Sequence, residues 1–108
     1  MTEATAIDFY WRPGCGFCMA LERQFHKHGI KISKHNIWED AANANHVRNA
    51  TGGSETVPTV TIGERSMVNP RIGDVVELLQ DTAPHLLPEG YQAPAGNTGS
   101  RLVKRLRN

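Results

Sequence analysis

Cysteine is scarce in this chain: Cys15 and Cys18 are the only two among 108 residues. A closed zinc site needs four ligands, usually two such pairs or one pair with two histidines. His26 and His28 are the nearest histidines, and on a helix they would face different sides. No metal site is therefore expected. Long apolar runs are also missing: nothing approaches the ~20 consecutive residues that a membrane span needs. Charge of one sign is not in excess either. The formal net charge is +1, which argues against a nucleic-acid binder driven by bulk charge. The first residues, MTEATAIDF, carry an acid at Glu3 and lack the basic and apolar regions of a secretory signal, so a cytoplasmic location is expected. No internal repeat is present.

What remains is an ordinary apolar content of 39%, enough for one modest core. The segment Ala6–Trp11 is β-rich and ends at the turn signal Arg12-Pro13-Gly14. From Gly16 the pattern becomes helical, with Phe17, Leu21 and Phe25 at four-residue spacing, until His28-Gly29 stops it. Residues Ile30–Ile37 alternate as a half-buried strand would. A helix capped near Asp40 and closed by Gly52-Gly53 follows, then strands at Val57–Gly63 and Arg65–Val68. Asn69 and Pro70 are placed to cap and open a last helix bearing Val75, Val76, Leu78 and Leu79. The order is β-α-β-α-β-β-α, an α/β fold built on a four-stranded mixed sheet flanked by helices.

The composition changes after Ala83. Residues 1–83 carry 8 basic and 10 acidic side chains, whereas residues 84–108 carry 4 basic and 1 acidic. This predicts a compact domain over residues 1–83 and an appended segment over 84–108, rich in Pro and Gly and then basic. The basic end, Arg101–Asn108, reads either as a solvated terminus or as a helix docking on a partner.

The cysteine pair sits where a strand gives way to a helix. Unpaired amide groups and the positive end of the helix dipole stabilise a thiolate there, and Arg12 adds a fixed charge. Residues three apart at a helix start bring their Cα atoms within ~6 Å, a spacing that suits a disulfide. Gly14 and Gly16 let an incoming backbone approach. Thiol–disulfide exchange fits this arrangement better than zinc binding or two inert buried thiols, with Cys15 as the exposed nucleophile and Cys18 as the more buried resolving thiol.

From these cysteines, from Thr56-Val57-Pro58, and from Asn49–Val60 followed by Met67–Leu79, the chain resembles the glutaredoxin branch of the thioredoxin-fold oxidoreductases, and most of all the mycoredoxins of actinobacteria. The resemblance covers Ala6–Asp81. It implies a thioredoxin-like fold, a cis-proline at Pro58, and pairing of a bound substrate with the Val57 backbone. Typical glutaredoxins carry Gly-Gly and then two aspartates at the later position, where they hold the γ-glutamyl end of glutathione. This chain has Val68-Asn69 and Pro70-Arg71-Ile72 there. The resemblance therefore implies mycothiol as the co-substrate rather than glutathione. It also implies reduction of mycothiol–protein mixed disulfides by a monomer, with no metal.

Mycoredoxins usually have Cys-Gly-Tyr-Cys, and Phe17 here lacks that hydroxyl. Residues implied to bind substrate or thiol are Arg12, Gly14, Phe17, Thr56, Val57, Pro58, Asn69 and Pro70. Two other readings belong to the same relatives. One is an electron donor of the NrdH-redoxin kind, reduced by thioredoxin reductase, although its SGFRP-like stretch is missing at SMVNPRIG. The other is an iron–sulfur carrier, although carriers usually have serine where Cys18 stands. Trp38, with Glu39 and Asp40, reads either as part of a substrate rim or, as expected here, as packing on the domain. Trp11 is expected to pack at its strand end rather than to form a substrate platform, and the five histidines to lie on the surface without a shared face.

Overall fold

A computed structural model describes residues 4–92, and the basic end at 101–108 lies outside them. The chain runs through β1 (Ile7–Trp11), α1 (Gly16–Lys27), β2 (Ser33–Asn36), α2 (Ala41–Thr51), β3 (Thr59–Ile62), β4 (Arg65–Val68) and α3 (Ile72–Thr82), then a single 3-10 turn at Pro84–Leu86. The sheet order is β2-β1-β3-β4, with β1 and β2 parallel and the other two pairs antiparallel. This is the expected β-α-β-α-β-β-α order in a thioredoxin-like fold.

Alternation along the central strands divides the side chains between two faces. Ile7 and Phe9 of β1 and Val60 and Ile62 of β3 point to the side covered by α1 and α3. There they meet Cys18, Leu21 and Phe25 of α1 and Val75, Val76 and Leu79 of α3. Phe9 and Phe25 meet edge-on with ring centroids 6.0 Å apart. The opposite face carries Tyr10, which packs with Ile37 and with Ala44 and Val47 of α2. Leu86, Leu87 and Tyr91 pack against the larger core, and Tyr91 Oη pairs with His28 Nδ1 at 2.7 Å.

The turn chemistry explains where the elements stop. Asp40 caps α2 by accepting from the Ala42 amide at 2.9 Å, and Gly52 closes it in the left-handed region at φ 82°. Gly63, at φ 63°, turns β3 into β4.

Three boundaries differ from the sequence pattern. Strand β2 is confined to Ser33–Asn36, so Ile30 is buried ahead of it and Ile37 beyond it. As the sheet edge it follows its pairing with β1, not the full length of the alternation. Strand β3 starts only at Thr59, after the cis Val57–Pro58 bond. The last helix begins at Ile72, not at Asn69-Pro70. Asn69 lies at φ 50° and its amide donates to the Pro58 carbonyl at 2.7 Å. The helix entrance is held one step later, where the Arg71 amide donates to Asp74 Oδ2 at 3.1 Å.

Candidate active site

The site forms at the end of β1. Gly14, at φ +77°, takes the left-handed conformation that turns the chain from the strand towards α1. Cys15 is the residue that caps α1. Its backbone is extended, and its Sγ accepts a hydrogen bond from the Cys18 amide at 3.0 Å. A sulfur thus occupies the position that a serine or aspartate oxygen takes at most helix starts. The two cysteines form a disulfide, with Cα atoms 5.2 Å apart. Cys18 is fully buried and Cys15 is only 6% exposed, so the sulfur expected to stand exposed is largely covered.

What covers it is the loop before β3. Cys15 Sγ lies 3.7 Å from the Val57 carbonyl oxygen. Val57 is half-buried and Pro58 is buried, while Thr56 is exposed. The ladder to β1 begins only at Thr59, so Val57 stays out of it. A Thr59 Oγ1 to Thr56 O hydrogen bond of 2.9 Å holds the loop. Asn69, bonded to Pro58, joins this loop to the entrance of α3. Phe17, Ala20, Leu21 and Gln24 of α1 then face Asn69, Pro70, Arg71 and Ile72 across a groove of about 410 Å³. Phe17 is 72% exposed. The predicted residues Cys15, Cys18, Val57, Pro58, Asn69, Pro70 and Phe17 are therefore brought together.

Arg12 and Gly14 belong to the turn between β1 and α1 that leads into the disulfide. Arg12 Nη1 donates to the Pro13 carbonyl at 3.0 Å and reaches to within 3.7 Å of the place a Gly14 Cβ would occupy. Its guanidinium carbon lies 5.6 Å from the centroid of Trp38. Trp38 does not pack on the domain as expected: it is 63% exposed, supporting this cation rather than filling a core position. Trp11 does pack on the core, with Lys34 Nζ 4.6 Å from its ring centroid.

Two of the five histidines also depart from the expected absence of a shared face, whereas His26 and His85 are exposed as expected. His35 and His46 flank Tyr10 on its two sides, with centroids 4.8 and 4.5 Å away. His35 pairs with Asp8 at 2.8 Å and His46 with Thr61 at 2.7 Å. Their meeting depends on the parallel pairing of β2 with β1 and on α2 crossing the sheet, which residue spacing does not reveal. Burial pushes the Tyr10 hydroxyl above the usual tyrosine range, and the Asp8 carboxylate adds to the shift. Among the described residues no cluster of His, Cys, Asp or Glu could hold a metal ion, and no helix is long and apolar enough to cross a membrane.

The family model for glutaredoxin matches residues 7–67, more than half of the chain and including both cysteines and the cis-proline loop. The chain belongs to the glutaredoxin family. It is a glutaredoxin-type thiol–disulfide oxidoreductase, and its Cys15–Cys18 pair is the redox disulfide. No curated protein matches the sequence. Among solved structures, the thioredoxin-like protein BC3987 superposes with a TM-score of 0.59 at 22% identity, over 68% of this chain and 99% of that one. A mutated buckwheat glutaredoxin gives 0.53 at 18% identity, over 73% and 72%. A wheat glutaredoxin gives 0.51 at 19% identity, over 74% and 76%. At these identities the structural likeness concerns the fold. Glutaredoxins act on disulfides together with low-molecular-weight thiols such as glutathione.

Proposed function

We propose that this glutaredoxin reduces mixed disulfides between proteins and mycothiol, with Cys15 as the nucleophile. The observation that carries the nucleophile is the capping position of Cys15. A thiolate there receives the Cys18 N–H and lies at the positive end of α1, whose first turn contains no acid. The Cys15 thiolate attacks the mycothiol sulfur of the mixed disulfide. A new sulfur–sulfur bond forms to Cys15, the old one breaks, and the protein thiolate leaves and takes a proton from solvent. A second mycothiol thiolate then attacks the sulfur of the bound mycothiol, giving oxidised mycothiol and restoring the Cys15 thiolate. In the alternative resolution, Cys18 attacks Cys15 and expels mycothiol, leaving the intramolecular disulfide.

Support for the thiol comes from the entrance of α3. Ile72 and Arg71 stand where typical glutaredoxins place carboxylates for the γ-glutamyl amine, so a cationic group would meet an apolar side chain and a guanidinium. Asn69 and Pro70 line the groove that such a thiol would enter. On the protein side, the large apolar residues exposed among those described are Phe17, Met19, Trp38 and Val68. Phe17 and Met19 flank Cys18 on α1, Val68 is paired with Thr59 just after the cis-proline loop, and Trp38 meets Arg12. They suit a polypeptide partner presenting its mycothiol-capped cysteine to Cys15 and its backbone to Val57.

The test is turnover on one protein mixed-disulfide pair, run in parallel with mycothiol and with glutathione. Faster turnover of the mycothiol adduct supports the proposal, and equal or faster turnover with glutathione removes the mycothiol reading.

A further inference from the structure

Trp38 is the largest exposed apolar side chain that the reaction above leaves without a chemical role. An indole that is 63% exposed forgoes most of its hydrophobic stabilisation, so its position calls for another cause. The turn that carries it is firmly held. The Ile37 amide donates to Trp11 O at 2.9 Å, extending the link between β2 and β1 past the strand ends. The Trp38 amide donates to Asn36 Oδ1 at 2.8 Å, and the Glu39 amide donates to Asn36 O at 3.1 Å. Asn43 Nδ2 donates to the same carbonyl at 3.2 Å, which fastens the turn to α2. Since β1 and β2 are parallel, this turn lies at the same end of the sheet as the Arg12–Cys15 corner.

Arg12 makes no ion pair among the described residues, and its one hydrogen bond is to the neighbouring Pro13 carbonyl. Left to itself, an arginine side chain of this kind would sample many rotamers in solvent. Here the guanidinium lies over Trp38 on one side and against Gly14, the residue next to Cys15, on the other. We infer that Trp38 is a positioning residue: its ring face holds the Arg12 guanidinium at the Gly14–Cys15 corner, where that charge stabilises the Cys15 thiolate. This rests on the thiolate chemistry proposed above and adds to it a residue outside the redox motif.

The other charged groups bordering the corner do not replace Arg12. The first turn of α1 has no acid, with Glu22 and Arg23 the first charged residues along the helix. The loop from Thr56 to Thr59 is uncharged. The α3 entrance contributes Arg71 and Asp74, and the turn bearing Trp38 contributes Glu39 and Asp40, whose Oδ1 is engaged in capping α2.

The experiment follows alkylation of Cys15 by iodoacetamide in the reduced protein from pH 4 to 9. The modified peptide is resolved by mass spectrometry, and circular dichroism checks that each variant is folded. Trp38→Ala is expected to raise the midpoint by about 0.5 pH unit, leaving roughly threefold less thiolate on the acid limb. Trp38→Phe keeps an aromatic face and should stay near wild type. Arg12→Gln should shift the midpoint at least as far as Trp38→Ala, and Trp38→Ala added to it should shift it no further. A depressed wild-type midpoint that Trp38→Ala leaves unmoved overturns this inference alone, as does a full additional shift in the double variant. A wild-type midpoint at the value of free cysteine overturns the thiolate chemistry as well.

Discussion

The Cys18 amide points at the sulfur of Cys15, donating to it at 3.0 Å across one turn of helix. The relationship makes the second cysteine more than a spare thiol: its backbone stabilises the first sulfur whatever its side chain is. Serine at position 18 would keep that amide, whereas serine at position 15 removes the sulfur itself.

Gly14 is the position where backbone geometry is least forgiving. At φ +77° a side chain is disfavoured, although its Cβ would meet the Arg12 Nη1 only at an ordinary 3.7 Å. Gly14→Ala should therefore cost about 1–2 kcal/mol through backbone conformation rather than through a clash. Urea unfolding of the oxidised protein measures it, and an unchanged midpoint would show that the turn relaxes freely.

Phe17 is exposed and lies between the two cysteines. Phe17→Ala should change folding stability by less than ~0.5 kcal/mol. It should nevertheless lower kcat/KM on a protein mixed disulfide by several-fold, and leave turnover of a small symmetrical disulfide nearly intact. Equal losses on both substrates would place Phe17 in the chemistry rather than in docking.

Alkaline stability should depend on Tyr10. Its hydroxyl is raised above the usual range by burial and then by Asp8, so the folded state keeps the phenol proton where the unfolded chain gives it up. The stability linked to this group is fully present below about pH 10 and is lost as pH rises through the folded value. Tyr10→Phe should be nearly neutral at pH 7 and flatten the fall in stability above about pH 10, read from thermal unfolding across that range. An alkaline limb identical to wild type would contradict the assignment.

The order of elements was legible because local signals mark several of the boundaries: Arg12-Pro13-Gly14 ends β1, Asp40 and Gly52 bracket α2, and Gly63 turns β3 into β4. The redox pair was legible for the same reason, since a strand-to-helix turn is where two cysteines at this spacing share a capping geometry. The residues that escaped are governed by contacts distant in sequence. Asn69-Pro70 has the composition of a helix start, yet Asn69 is tied to Pro58 and the helix opens after it. Trp38 suggests burial by its size, yet it lies exposed beneath a cation from another loop. His35 and His46 share neither spacing nor element, and only the crossing of α2 over the sheet sets them about Tyr10.

The most direct test is turnover of a mycothiol–protein mixed disulfide by the two single-cysteine variants, assayed side by side with wild type. With Cys15 as the sole attacking sulfur, Cys18→Ser keeps most of the activity, and Cys15→Ser loses it by at least ~10³-fold. Equal loss in both variants, or retained activity in Cys15→Ser, would contradict the account.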